Sequence, residues 1–271
     1  MATVRAICIL AALTLLTLTL VPPQWVAMKL GWPIQRQIPL FWHKIASRLI
    51  GLRIQQHGEM SLERPLLVAS NHCSWLDIVV IGCTKPLSFI AKSEVAGWPI
   101  FGQFAKLQRT VFVNRQRRTD TGRVAKEVAK RMAQGDAMVL FAEGTSSNGN
   151  EVLPFRSALV GAVHHAMIVG EKDVAYVQPL SIAYTRLQGM PMGRFWRAHV
   201  AWYGDMELAG HLWSVIKEGG LDVDLTWGTP VPIEKATNRK RLTRDLEEQV
   251  RGMTIEALQG NGPKQEEQAQ T

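Results

Sequence analysis

The sequence predicts an α/β domain, a mixed sheet flanked by helices, preceded by an N-terminal membrane-embedded helical hairpin or helix pair. Three observations carry that prediction. Short apolar runs of strand length alternate with helical patterns through the middle of the chain. A charge-free apolar stretch lies near the N-terminus. A basic, acid-free flank follows that stretch.

The elements follow in order. Ala6 to Val21 is apolar apart from threonines, and Pro22-Pro23 closes the run. No charged residue occurs from Ala6 to Met28. No small-x-small cleavage site of a signal peptide is evident near Pro22, so the stretch reads as a retained anchor. A second helix, from about Ile38 to Ile50, mixes Lys44 and Arg48 with Phe41, Trp42, Ile45 and Leu49, which suits a membrane interface. Residues 1–58 hold Arg5, Lys29, Arg36, Lys44, Arg48 and Arg53, and no acid. Five of these six follow the apolar run, which places the remaining chain on the cytoplasmic side of the inner (cytoplasmic) membrane.

Past residue 58, Leu66–Ser70, Leu87–Ala91 and Thr110–Val113 read as strands, and Thr119–Gln134 as a helix with Val124, Val128 and Met132 spaced by four. Ala137–Ala142 is a strong apolar strand and Phe155–Val169 a buried helix. Val174–Tyr184 and Leu221–Trp227 are further strands, and Asn238–Leu258 is a charged amphipathic helix. The domain plan is an anchor and interfacial helix over 1–58, a catalytic domain over 59–259 and a disordered polar tail over 260–271.

The 271 residues carry a formal net charge of +8. A membrane with an anionic face suits this balance better than nucleic acid does. The early basic residues are interleaved with Trp32, Ile34, Phe41 and Trp42 rather than clustered. The three cysteines, Cys8, Cys73 and Cys83, have neither disulfide-framework nor zinc spacing, which fits a reducing compartment and no metal.

Candidate chemistry sits where apolar strands end, the place where α/β sheets build their sites. His72 and Asp77 stand five positions apart just after Leu66–Ser70. A carboxylate that holds one imidazole nitrogen leaves the other free to take a proton from an alcohol. Asn114-Arg115 follows the next such run, and Glu143-Gly144-Thr145 follows the third. A base, a cation and a carboxylate-bearing turn together point to transfer of a group onto a hydroxyl.

The order Asn-His-x4-Asp (Asn71, His72, Asp77), Phe-Val-Asn-Arg (Phe112 to Arg115), Glu-Gly-Thr (Glu143 to Thr145) and a strand containing Pro179 resembles the glycerolipid acyltransferases of the lysophosphatidate acyltransferase type. The resemblance runs from about Pro65 to Trp227. It implies a cofactor-free enzyme that moves a fatty acyl group from acyl-carrier protein or acyl-coenzyme A to a lysolipid. By the same resemblance His72 is the base and Asp77 orients it, while Asn71, Arg115, Glu143, Gly144 and Thr145 bind substrate. Arg109 and Arg156 are further candidate cations for the acceptor.

Two departures stand out. Ser146 follows Glu-Gly-Thr where the family usually has Arg, and Arg109 stands where many members have Gly. Loss of a bidentate cation weakens the case for a phosphate-bearing acceptor. Glu143 to Ser147, Leu153 to Ser157, Met192 to Arg194 and Gly219 to Asp224 resemble a bacterial subgroup that converts lyso-ornithine lipid to ornithine lipid. The alternative acceptor is 1-acyl-sn-glycerol-3-phosphate, giving phosphatidic acid. A non-catalytic lipid-binding protein is the alternative of another class, and the intact His72 and Asp77 argue against it. A serine lipase lacks its Gly-x-Ser-x-Gly elbow here. Cys73, beside His72, raises a thiol-nucleophile reading that the adjacency of the two side chains disfavours.

Overall fold

The computed structural model describes residues 1–113, 118–157, 174–234 and 236–260, with only the main chain of 118–125. Arg115, most of the segment expected as a helix over Phe155–Val169, and the tail beyond Gly260 lie outside the described residues.

In chain order the elements are α1 (Ala2–Leu30), α2 (Gln37–Ile50), β1 (Leu52–His57), β2 (Leu66–Ser70), α3 (Leu76–Gly82), β3 (Ser88–Lys92), α4 (Phe101–Leu107), β4 (Val111–Val113), α5 (Arg118–Ala133) and β5 (Ala137–Phe141). After these come β6 (Ala175–Leu187), β7 (Met190–Pro191), α6 (Arg194–Val200), α7 (Leu208–Glu218), β8 (Leu221–Trp227), β9 (Val231–Ile233) and α8 (Arg239–Leu258). The strands form one mixed sheet in the order β1-β8-β6-β2-β5-β3-β4, with β7 and β9 also on β6. From β6 across to β4 all pairings are parallel, whereas β8 runs antiparallel to β6.

β2 is buried at every position. Leu66 and Val68 face one core with α2, α3 and α7. Leu67 and Ala69 face the other with α5 and α8. A strand buried on both faces reads as a continuous apolar run rather than an alternating one, which is why β2 and β5 are legible in the sequence.

Two features differ from the sequence expectation. The apolar run does not stop at Pro22-Pro23, since α1 continues through both to Leu30. The missing proline N–H groups free two backbone carbonyls without breaking the helix. The boundary placed at residue 58 also moves to Gly51, because Leu52–His57 pairs with β8 along its whole length. Its pattern, Leu-Arg-Ile-Gln-Gln-His, belongs to a polar edge strand and carries too few apolar residues to announce itself.

α1 lies along the domain. Arg5 donates to the carbonyls of Ile216 and Lys217 at the end of α7 and of Ile50 at the end of α2, at 3.1 to 3.3 Å. These are helix C-terminal carbonyls with no intrahelical donor, and a cation there also meets the negative end of the helix dipole. Trp42 Nε1 donates to Thr17 Oγ1 at 2.9 Å, and Gln24 Nε2 donates to the Leu107 and Gln35 carbonyls. The opposite stripe of α1, including Val4, Ile7, Leu15, Leu18, Trp25 and Val26, is exposed and apolar.

α2 packs closely on α3 at Gly82, where a Cβ would stand 2.6 Å from the His43 ring. Gly82→Ala is expected to force these helices apart and destabilise the protein by about 1–3 kcal/mol, read as a lower thermal midpoint in detergent.

Candidate active site

His72 sits in the loop after β2, and Asp77 opens α3 a few residues on. The loop folds back so that His72 Nδ1 meets Asp77 Oδ2 at 2.7 Å. Asp77 is fully buried. Its Oδ2 also accepts the Cys73 and Ser74 N–H groups at 2.8 and 3.0 Å, and its Oδ1 accepts the Tyr184 hydroxyl at 2.8 Å. A buried carboxylate persists only with such donors. The bond to Asp77 makes Nδ1 the proton-bearing nitrogen of neutral His72 and leaves the Nε2 lone pair for another proton. The imidazole stacks on Phe141, the last residue of β5, with centroids 3.9 Å apart and planes at 16°.

The main chain of His72 is held from the neighbouring strand end. Its N–H donates to Glu143 Oε1 at 3.2 Å, and its carbonyl accepts from Ser147 N–H at 2.8 Å. Glu143 is buried, and burial raises its pKa from 4.5 to about 8, against the N–H groups of His72 and Leu153, which favour the charged form. Among the described residues its Oε2 has no hydrogen-bond partner. Gly144, at φ +75°, makes the tight turn with its N–H on the Phe141 carbonyl, in a region that a side chain rarely enters. Thr145 is exposed beside it. Arg156 Nε donates to the Glu143 carbonyl at 3.2 Å, which places this exposed guanidinium at the same end of the sheet.

Asn71 and Arg109 are placed otherwise than expected. Asn71 is buried, and its carboxamide pairs with both main-chain groups of Ile182 at 2.8 and 2.9 Å. It extends the β2–β6 ladder by one rung instead of facing a substrate. Arg109 precedes β4 and so lies at the end of the sheet opposite His72, where it is paired with Asp136 at 2.7 Å. The Asn114-Arg115 motif lies outside the described residues.

Cys73 is no nucleophile in this setting. Burial pushes its thiol well above the ordinary value, and the carboxylates of Asp77 and Glu143 push it further. Trp75 packs partly buried and donates through Nε1 to His211 Nδ1 at 3.0 Å, in keeping with a core role. Tyr184 escaped the sequence reading. It shares its strand with Tyr176, Gln178 and Ser181, so nothing in the sequence singles it out.

A model of the acyltransferase family matches residues 53–194. The chain is 50% identical over 261 residues to a lyso-ornithine lipid O-acyltransferase of Brucella abortus, covering 95% of this chain and 97% of that one. This protein belongs to the acyltransferase family. A lyso-ornithine lipid O-acyltransferase of Rhizobium meliloti is 42% identical over 92% of this acyltransferase and 85% of its own length. The crystal structure of a 1-acyl-sn-glycerophosphate acyltransferase from Thermotoga maritima superposes with a TM-score of 0.60 over 95% of this chain and 98% of that one. At 20% identity that likeness speaks for the fold, a mixed α/β sheet behind a long apolar helix.

Two measurements check this arrangement. Tyr184→Phe removes a donor from the buried Asp77 carboxylate and loosens the group that orients the His72 ring. kcat/KM is expected to fall about tenfold, with the fold retained by circular dichroism. Glu143 has a folded-state pKa above its unfolded value. Its contribution to stability is therefore full below about pH 4.5 and is lost as pH rises towards 8. Glu143→Gln is expected to remove that part of the pH dependence, so the stability of wild type relative to the variant should fall between those pH values in chemical denaturation.

Proposed function

We propose that this acyltransferase moves a fatty acyl group from an acyl thioester to the hydroxyl of a lysolipid, making ornithine lipid from lyso-ornithine lipid. The observation that carries the reading is the His72–Asp77 pair at 2.7 Å, in a loop whose main chain at His72 is bonded to Glu143. The near end-to-end matches to two lyso-ornithine lipid O-acyltransferases favour that acceptor.

His72 Nε2 takes the proton of the acceptor hydroxyl, and the oxygen attacks the thioester carbonyl. Asp77 keeps the ring in place and stabilises the imidazolium that forms. The tetrahedral intermediate collapses, the carbon–sulfur bond breaks, and His72 returns the proton to the leaving thiolate. The acyl group passes directly from sulfur to oxygen, and no acyl-cysteine is formed. Thr145, Arg115, Arg156 and Glu143 are assigned to the acceptor, whose carboxylate head calls for a guanidinium. The donor is acyl-carrier protein or acyl-coenzyme A, both anionic and suited to a chain of net charge +8.

The enzyme works at the inner (cytoplasmic) membrane, with its domain on the cytoplasmic side. α1 is held on one face by the domain from Arg5 to Gln24, while its other face is an apolar stripe. A helix so held enters one leaflet sideways.

The test is acyl transfer in isolated membranes, offering labelled acyl-carrier protein with lyso-ornithine lipid or 1-acyl-glycerol-3-phosphate. Ornithine lipid from wild type, with activity down at least 10³-fold in His72→Ala and nearly unchanged in Cys73→Ala, is the expected result. Phosphatidate as the sole product would overturn the acceptor assignment. Ser146→Arg is expected to raise the rate with the phosphate acceptor relative to lyso-ornithine lipid, by about tenfold.

A further inference from the structure

A concave site lies at the far end of the sheet from His72. A cleft of about 490 Å³ opens there, lined among others by Met28 of α1, Lys106 of α4, Arg109, and Lys130 and Arg131 of α5. These residues stand where the parallel strands begin, at the foot of β4 and β5, and the catalytic chemistry does not use them.

Charge in this cleft is out of balance. Asp136 is buried and already shared by Arg36, Arg109 and Arg131, at 2.8, 2.7 and 3.3 Å. Glu127 is the one acid among the lining residues. Lys106 and Lys130 have no ion-pair partner among the described residues and lie exposed at the rim. Burial lowers the Arg131 pKa, and repulsion from Arg109 lowers it further. Arg109 holds a backbone φ of +63°, a conformation uncommon for a side chain of its size. A partly buried excess of guanidinium and ammonium groups is a site for an anion.

The position of α1 says which anion. Met28 belongs to the helix read above as lying in one leaflet, and Gln24, one turn earlier, is bonded to Leu107 at the foot of α4. Trp25, Val26 and Leu30 are exposed beside it, and the Lys29 ammonium sits 3.9 Å over the Trp25 ring. The cleft therefore adjoins the apolar stripe at the end of the helix where tryptophan and lysine mark an interface. We propose that this cleft binds the phosphate headgroup of one acidic membrane lipid, whose acyl chains lie along the exposed stripe of α1. A concave site with half-buried arginines favours a single headgroup over the flat face of an acidic protein. The proposal rests on the membrane seat of α1.

The test uses the purified full-length chain in neutral detergent. Native mass spectrometry follows lipids retained on titration with phosphatidylglycerol or with phosphatidylcholine of the same chains. One phosphatidylglycerol per chain, with little phosphatidylcholine, is expected. The double variant Lys106→Gln/Lys130→Gln changes only exposed side chains and should weaken phosphatidylglycerol retention at least tenfold. Arg244→Gln, a basic-residue control on α8, should not. Equal retention of both lipids, or no effect of the double variant, overturns the proposal. So does displacement of the lipid by millimolar inorganic phosphate, which would mark a site for soluble anions. A double variant that loses affinity for acyl-carrier protein while keeping phosphatidylglycerol would mark a protein-docking surface, again against the proposal. Flotation with phosphatidylcholine vesicles separates the two readings: both proteins should float, and failure of wild type to float would refute the membrane seat itself.

Discussion

The buried carboxylate of Asp77 is the constraint around which the catalytic end of the molecule is arranged. An unpaired charge at zero exposure would cost several kcal/mol. The chain offsets that cost with two backbone N–H groups, an imidazole and a phenol. To supply them, the loop after β2 must curl into one conformation, and β6 must bring Tyr184 underneath. The imidazole is oriented as a by-product of satisfying the carboxylate. Further ties remove what freedom is left: Ser74 Oγ donates to the Val200 carbonyl, and the Trp202 N–H reaches the Cys73 carbonyl. An imidazole set this firmly would need little reorganisation to act as the proposed base.

The two ends of the sheet solve opposite electrostatic problems. At the catalytic end two carboxyl groups lie close to one imidazole, and burial keeps Glu143 largely neutral near pH 7. At the other end several guanidinium groups crowd one carboxylate. A parallel sheet places the ends of β2 and β5 together at one edge and their beginnings at the other, so neighbouring loops accumulate like residues at each.

Legibility in the sequence followed burial and local chemistry. β2 was readable because both of its faces are packed and its run is continuously apolar, and β8 because its apolar residues alternate with Asp222, Asp224 and Thr226. His72, Asp77 and the Glu143 turn were readable because each motif falls at the end of such a strand. β1 was missed because an edge strand beside solvent needs few apolar residues. The continuation of α1 past Pro22-Pro23 was missed because packing along its flank, which sequence does not display, outweighs the loss of two hydrogen bonds. Asn71 was expected among the substrate ligands and Arg109 as a further candidate cation; the partners they have in the fold are out of sight in the sequence, since Ile182 lies 111 residues from Asn71. Tyr184 was invisible for the same reason, since nothing near it in the chain hints at Asp77.

Arg5 makes a different point about how such a molecule comes into being. Its guanidinium caps a carbonyl of Ile216, 211 residues away in the chain. The contact that holds the start of α1 therefore forms only once α7 has packed beside it. Topology of this kind slows closure, because the ends of so long a loop must find each other before the contact repays the entropy. A single side chain thus ties the start of α1 to a helix end that the chain reaches only after most of the sheet is laid down.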